Sequence, residues 1–312
     1  MMEKNKLNGH IAIFAANLFF GLNNPISRSL MPETIDPITL TYFRMLGGAI
    51  LFWASAAFVK VEKVPLKDMV LFFFAAFFAL TVNQLSFFMG LSKTSAIDAS
   101  IVVSILPIIS MLLAAIIIKE PITLKKALGV IVGASGALFL VLSENSKNIG
   151  QGNLTGNLIV FIAVCSFALY LTLFKGLISK YSPFTIMRMM FLFAAIQSYP
   201  FCHHSLETFD PSILDLSVSL RIGYVIIGAT FISYILLAIG QRILLPTTLS
   251  MYNYTQPIVA SIAAVAMGMD VFGIDQLISI VLVFLGVYIV TQSKTRAQLD
   301  AEKQKKSVEN TL

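Results

Sequence analysis

Ten stretches of this chain are apolar and long enough to cross a lipid bilayer, and together they use up nearly all of it. A hydrocarbon core about 30 Å thick needs about 20 helical residues. The stretches fall at 10–30, 38–59, 69–91, 96–118, 124–142, 155–177, 183–201, 220–239, 247–269 and 274–292. Short links carrying turn formers such as Pro32, Pro37, Pro65, Pro183 and Pro246 join them. Only 143–154 and 202–219 read as longer loops, so no soluble domain fits. Of the 312 residues, 57% are hydrophobic and 12% charged, about half the charge of a soluble domain. That apolar content also excludes disorder. The first stretch exceeds a signal-peptide core and no small-residue cleavage site follows, which predicts a retained helix. Cys165 and Cys202 sit in or beside apolar stretches and read as packing residues.

A net charge of +6 can attract nucleic acid, but here the charges lie between apolar runs. Ten crossings put both termini on one side. That side then carries sixteen of the 22 lysines and arginines, the other side four, and Arg44 and Arg188 fall inside spans. The asymmetry predicts cytoplasmic termini. The expected organisation is a cytoplasmic segment 1–9, a five-helix unit 10–143, an outer linker 144–154, a second five-helix unit 155–293 and a solvated cytoplasmic tail 294–312.

The halves match at a nearly fixed offset. Gly90, Ser100, Pro107, Glu120 and Gly136 meet Gly240, Ser250, Pro257, Asp270 and Gly286, each 150 residues on. Gly9, Phe14 and Phe20 meet Gly156, Phe161 and Phe167, and Pro37 meets Pro183. Five spans per half is odd, so the second half enters from the opposite face. The predicted fold class is therefore all-α integral membrane, with ten transmembrane helices as two inverted five-helix repeats, an arrangement suited to alternating access.

The stretch from Leu91 through Asp98, Ser100 and Pro107 to Lys119-Glu120-Pro121, with Gly129, Gly133 and Gly136 beyond it, resembles the drug/metabolite transporter superfamily, EamA-type. The second half carries a looser copy in Pro246, Ser250, Pro257, Asp270 and Gly286, with Asp270 where that family usually has Glu. The resemblance covers about 9–293 and implies a ten-helix transporter with outward transport. The family spans amino acids, drugs, sugars, nucleotide sugars and other metabolites, so it does not name the solute.

Polar groups in hydrocarbon are costly and mark candidate solute paths. All sixteen acidic residues fall in loops, tails or span ends, which argues against a proton-coupled pump and for a facilitator or exchanger. Asn17 and Asn24 share a face of the first helix, as a hydrogen-bonding wall or as glue between helices, and Pro25 frees a carbonyl beside them. Arg44 and Arg188 lie six and five residues into the second and seventh spans, as gate cations fit for a carboxylate or phosphate, or as snorkelling side chains. Pro107 and Pro257 predict kinks near the midplane of helices four and nine. Ser100 and Ser104 share a face before Pro107. The five polar residues Tyr252, Asn253, Tyr254, Thr255 and Gln256 are dense for a buried span and form the strongest site candidate, with helix-packing amides as the alternative. Asn83 and Gln84 in helix three and Ser233 and Tyr234 in helix eight occupy matching repeat positions, and helix six adds Tyr170 and Thr172.

The predicted substrate-binding set is Asn17, Asn24, Arg44, Asn83, Gln84, Ser104, Tyr170, Tyr234, Tyr252, Asn253 and Gln256, with Pro25, Pro107 and Pro257 as hinges. Amides, hydroxyls and aromatic faces with one or two cations suit an amino acid or related amphipathic solute. A carrier or exchanger of phosphorylated or nucleotide-linked solutes is the alternative, although a diphosphate calls for more buried cations. A membrane enzyme or receptor is the rival class, with only His203, His204, Glu207 and Asp210 to offer, at no metal-ligand spacing. Asn153-Leu-Thr155 matches a glycosylation sequon, a short motif that arises by chance. No cofactor, metal site, catalytic set or nucleic-acid partner is expected. The expected protein is a monomeric or homodimeric multi-pass protein of the inner (plasma) membrane, with a small solute and the lipid bilayer as its partners.

Overall fold

The computed structural model describes residues 2–31, 34–60, 62–91, 93–94, 96–144, 154–266, 274–294, 298–300 and 304. A few helical side chains, those of Asn24 and Ser100 among them, lie outside the described residues, as do Asn153, Asp270 and most of the linker and tail.

Every regular element among the described residues is helical. The rods are α1 Met2–Arg28, α2 Pro37–Ala54, α3 Leu66–Leu91, α4 in two pieces Ala96–Val103 and Leu106–Ile117, and α5 Leu124–Glu144. They continue as α6 Leu154–Leu173, α7 Pro183–Glu207, α8 Leu216–Ile243, α9 beginning at Pro246–Met251 and running on as Thr255–Ala266, and α10 Ile274–Thr291. A short helix, Lys175–Lys180, follows α6.

Local chemistry sets the ends. Asp36 caps α2 by accepting the N–H groups of Ile38 at 2.9 Å and Thr39 at 3.2 Å, with Pro37 in the first turn. Ser182 and Pro183 repeat this at α7, and Asp215 caps α8 by accepting from Val218 at 2.6 Å. Lys119 stops α4 in the left-handed region at φ 54, and the Glu120 N–H then closes on the Ala114 carbonyl at 3.0 Å. Beside it the buried Lys126 ammonium meets Glu120 at 2.7 Å.

Four of the helices are long and apolar enough to cross a membrane by length and composition: Pro37–Ala57, Leu66–Leu91, Leu154–Leu173 and Leu216–Ile243. Helices α4 and α9 are broken, so neither offers one long apolar run. The outer faces are apolar: Phe73, Phe74, Phe77, Ile116, Leu124 and Leu216 are exposed, while Asn17, Thr41, Ser166 and Thr230 are buried. Water would select the reverse, and lipid selects this.

Helices α5 and α10 approach closely at their glycines. A Cβ built on Gly286 would lie 2.6 Å from the Gly133 Cα and 2.7 Å from the Gly129 carbonyl oxygen. Small residues let membrane helices pack this closely, where no hydrophobic effect drives association. Other pairings are α1 on α8, α3 on α6 and α2 on α7.

The structure departs from the sequence expectations at several places. Helix α7 runs on to Glu207 and α8 starts at Leu216, so 202–219 is mostly helix rather than loop. Pro25 leaves α1 unbroken to Arg28, as prolines are tolerated inside membrane helices. The breaks near Pro107 and Pro257 come before them: α4 parts after Val103, and α9 tightens to a 3₁₀ turn at Tyr252–Tyr254. Each proline then sits in the first turn of the helix that follows, where its missing N–H leaves no bond unmade.

One feature has no signal in composition. Helices α3 and α8 each contain a π-helical turn, at Phe77–Val82 and Ile227–Ile232. Corresponding residues of the two turns are 150 apart, the offset of the sequence repeat.

Candidate functional site

The two π turns converge on one guanidinium. Arg44 of α2 is buried, and its Nε donates to Thr230 Oγ1 at 3.2 Å, inside the π turn of α8. Its Nη1 donates to Gln84 Oε1 at 3.3 Å, just past the π turn of α3. Each partner is itself held. Thr230 donates to the Val225 carbonyl five residues back at 2.8 Å. Gln84 donates to Asn83 Oδ1 at 3.0 Å, and Asn83 donates to the Ala163 carbonyl of α6 at 2.9 Å. One network therefore runs through α2, α3, α6 and α8. No carboxylate among the described residues pairs with Arg44. Both bonds tie the buried guanidinium to neighbouring helices.

A cation in a buried site costs several kcal/mol unless something compensates it, and neutral dipoles compensate only in part. Extra turns of the π type are frequent at functional sites. Here each re-aims a polar residue at one charge. Tyr234, one turn past Thr230, packs edge-to-face on Phe191 at 5.0 Å and Phe20 at 5.5 Å, forming an aromatic wall.

The remaining predicted residues form separate contacts. Asn17 Nδ2 donates to the Ile13 carbonyl at 2.8 Å, and Gln256 Nε2 donates to Asn17 Oδ1 at 2.7 Å, tying α1 to α9. Tyr252 OH meets His10 Nδ1 at 2.8 Å, and Tyr254 OH donates to the Ser104 carbonyl at 2.8 Å across the matched breaks of α9 and α4. Ser104 is buried and Asn253 half-buried. Tyr170 donates to Gln241 Oε1 at 2.8 Å, so it is tied to α8. Asn24 lies on α1, with its side chain outside the described residues. The predicted residues thus fall in several places, the Arg44 network, the Tyr234 aromatic wall, the Asn17–Gln256 bridge and the separate contacts of Tyr170, Tyr252 and Ser104. Thr230 and Gln241 were missed. Thr230 lies inside the π turn, so regular helical spacing does not assign its face.

The end that carries Lys180 is tied by charged bonds. Asp68 accepts from Lys180 and from Tyr181, and Lys175 donates to the Leu244 carbonyl at 2.7 Å. Glu62 accepts the N–H and the hydroxyl of Ser182, both at 2.8 Å. Burial pushes the Glu62 carboxyl up, but its hydrogen bonds from Thr185 and Ser182 outweigh this and hold it below its usual value. At the opposite end Thr39 Oγ1 donates to the Ser205 carbonyl at 3.3 Å, and Arg221 donates to the Ser29 hydroxyl at 3.2 Å and carbonyl at 3.5 Å. Among the described residues no group of His, Cys, Asp or Glu could hold a metal, and His203 and His204 are exposed. Cys202 is buried, Cys165 is half-buried, and both are free thiols.

A family profile described as the EamA-like transporter family matches residues 7–142 and again 154–292. An uncharacterized transporter of Archaeoglobus fulgidus is 26% identical over 264 residues, covering 83% of this chain and 90% of its own. The uncharacterized transporter YyaM of Bacillus subtilis is 24% identical over 64% of this chain and 66% of its own. The Arabidopsis thaliana protein WALLS ARE THIN 1 is 27% identical over 44% of this chain and 38% of its own. A solved crystal structure superposes with a TM-score of 0.75 over 93% of this chain and 98% of that one at 18% identity, which shows a shared fold.

Proposed function

We propose that this chain, which belongs to the EamA-like transporter family, moves a small amphipathic organic solute, an amino acid or a close relative, outward across the inner membrane by alternating access. Membership of that family makes the chain a membrane transporter of small solutes. The solute reading rests on the convergence of Gln84 and Thr230, at π turns 150 residues apart, on the buried cation Arg44. A cation at the meeting of two related halves suits a solute carboxylate, and the Tyr234 wall suits an apolar side chain. In this reading the ten helices form two inverted five-helix units, with both termini cytoplasmic. The Asp68–Lys180 and Glu62–Ser182 bonds close the cytoplasmic end. Neutral side chains around Arg44 favour uniport or exchange over proton coupling.

The test is efflux from liposomes loaded with a mixed amino-acid and metabolite panel, followed by mass spectrometry with and without an imposed pH gradient. Selective efflux that ignores the gradient is expected. Efflux driven by the gradient overturns the uncoupled mechanism, and efflux of phosphorylated solutes alone overturns the solute class. Asn17→Ala and Gln256→Ala should each lower flux about three- to tenfold, the weight of one neutral hydrogen bond. Wild-type kinetics in both would remove the α1–α9 bridge from the transport cycle.

A further inference from the structure

The ends of α2 and α7 enclose a narrow cleft lined by Phe52, Ser55, Val59, Lys60, Thr185 and Arg188. Arg188 is 6% exposed, and its buried Nε has no hydrogen-bond partner. Its guanidinium lies 5.1 Å from the centre of the Trp53 ring. Lys60 brings a second positive charge, and among the described residues no carboxylate lines the cleft. The nearby Glu62 is already engaged by Ser182.

A second cleft stands at the other end of the molecule, and it is the repeat counterpart of the first. It is lined by Asp36, Thr39, Ser205, Phe209 and Asp210. Ser205, Phe209 and Asp210 stand 150 residues after Ser55, Val59 and Lys60, and Thr39 stands 146 before Thr185. The architecture is shared and the charge is inverted: Lys60 and Arg188 at one end, Asp36 and Asp210 at the other. Packing alone does not require that inversion, because both clefts use the same hydroxyl and apolar positions.

We infer that the Lys60–Arg188 cleft binds the phosphate of an anionic lipid headgroup from the leaflet on the side of the termini. The guanidinium has an unmet donor for a phosphate oxygen, and the ammonium adds a second charge. Trp53, whose ring Arg188 faces, is exposed, as is the nearby Phe58, and Trp is favoured where a membrane meets water. Basic pockets between helices near a membrane surface take anionic headgroups in this way. The site is separate from the Arg44 network and does not depend on which solute is carried.

The test uses the full chain in nanodiscs of phosphatidylcholine with a minority of phosphatidylglycerol, and counts the lipids retained in native mass spectrometry. The wild type should retain phosphatidylglycerol preferentially. Arg188→Gln should weaken that retention about tenfold, and Lys60→Ala about fivefold, the weight of one basic residue at an anionic surface. Lys60 is exposed, so its variant keeps the test open if Arg188→Gln folds poorly. Asp210→Asn in the opposite cleft should leave retention unchanged. Equal retention in the wild type and both variants overturns the site. Stabilisation of the wild type by inorganic phosphate in lipid-free detergent, lost in Arg188→Gln and without any preference for phosphatidylglycerol, overturns the lipid source in favour of a soluble phosphate.

Discussion

Arg44→Ala should cut flux at low solute concentration by about 10- to 150-fold, the range that corresponds to losing one hydrogen-bonded charge contact. The residue holds two hydrogen bonds to neighbouring helices, and the substitution also leaves Gln84 and Thr230 without a donor. Arg44→Lys keeps the charge but not the planar fork, so it should retain part of the flux, with the loss falling on affinity for carboxylates. The informative comparison is between an amino acid and its decarboxylated amine. Wild-type preference for the acid should vanish in Arg44→Ala and persist, weakened, in Arg44→Lys. Normal flux and preference in Arg44→Ala would make Arg44 a packing residue and remove the proposed solute anchor.

Gly286→Ala should lower stability by about 3 kcal/mol, at the upper end for overpacking by one methyl. A methyl on Gly286 meets the Gly133 Cα at 2.6 Å and the Gly129 carbonyl oxygen at 2.7 Å. These are backbone atoms, so no side chain can rotate away, and α5 and α10 must separate. Gly176→Ala is the matched control. Nothing lies within 4 Å of a Cβ there, and the helical preference of Ala should make it neutral or mildly stabilising. Thermal unfolding in detergent reads both. An unchanged transition in Gly286→Ala would mean that these helices do not touch along this line.

Much of the architecture is legible in the sequence because lipid imposes a length on every apolar run. The N-terminal caps at Asp36 and Ser182 follow the same logic, since each precedes a proline at the start of an apolar stretch. The prolines near the midplane locate the breaks of α4 and α9 to within a turn. The misread loop at 202–219 shows the limit. The polar end of α7, through His203, His204 and Glu207, reads as loop by composition, yet it continues the helix. The site is less legible than the scaffold. Arg44, Asn83 and Gln84 stand out as polar groups in apolar runs, but the partnership of Arg44 with Thr230 spans 186 residues, and that of Asn17 with Gln256 spans 239. Periodicity carries no information across such separations.

The paired π turns also change how these helices count. An α-helix advances about 100° per residue, and each wide turn absorbs one residue beyond that count. A helical wheel drawn straight through α3 therefore misplaces everything after Val82 by about that angle, Asn83 and Gln84 included. The same phase error applies to Ser233 and Tyr234 beyond Ile232. Both halves carry the same displacement, so the 150-residue spacing survives it. Deleting a single residue from one turn would remove the displacement there and keep it in the other half. The shortened helix could remain regular and apolar, yet its polar residues would be rotated out of phase with those of its counterpart.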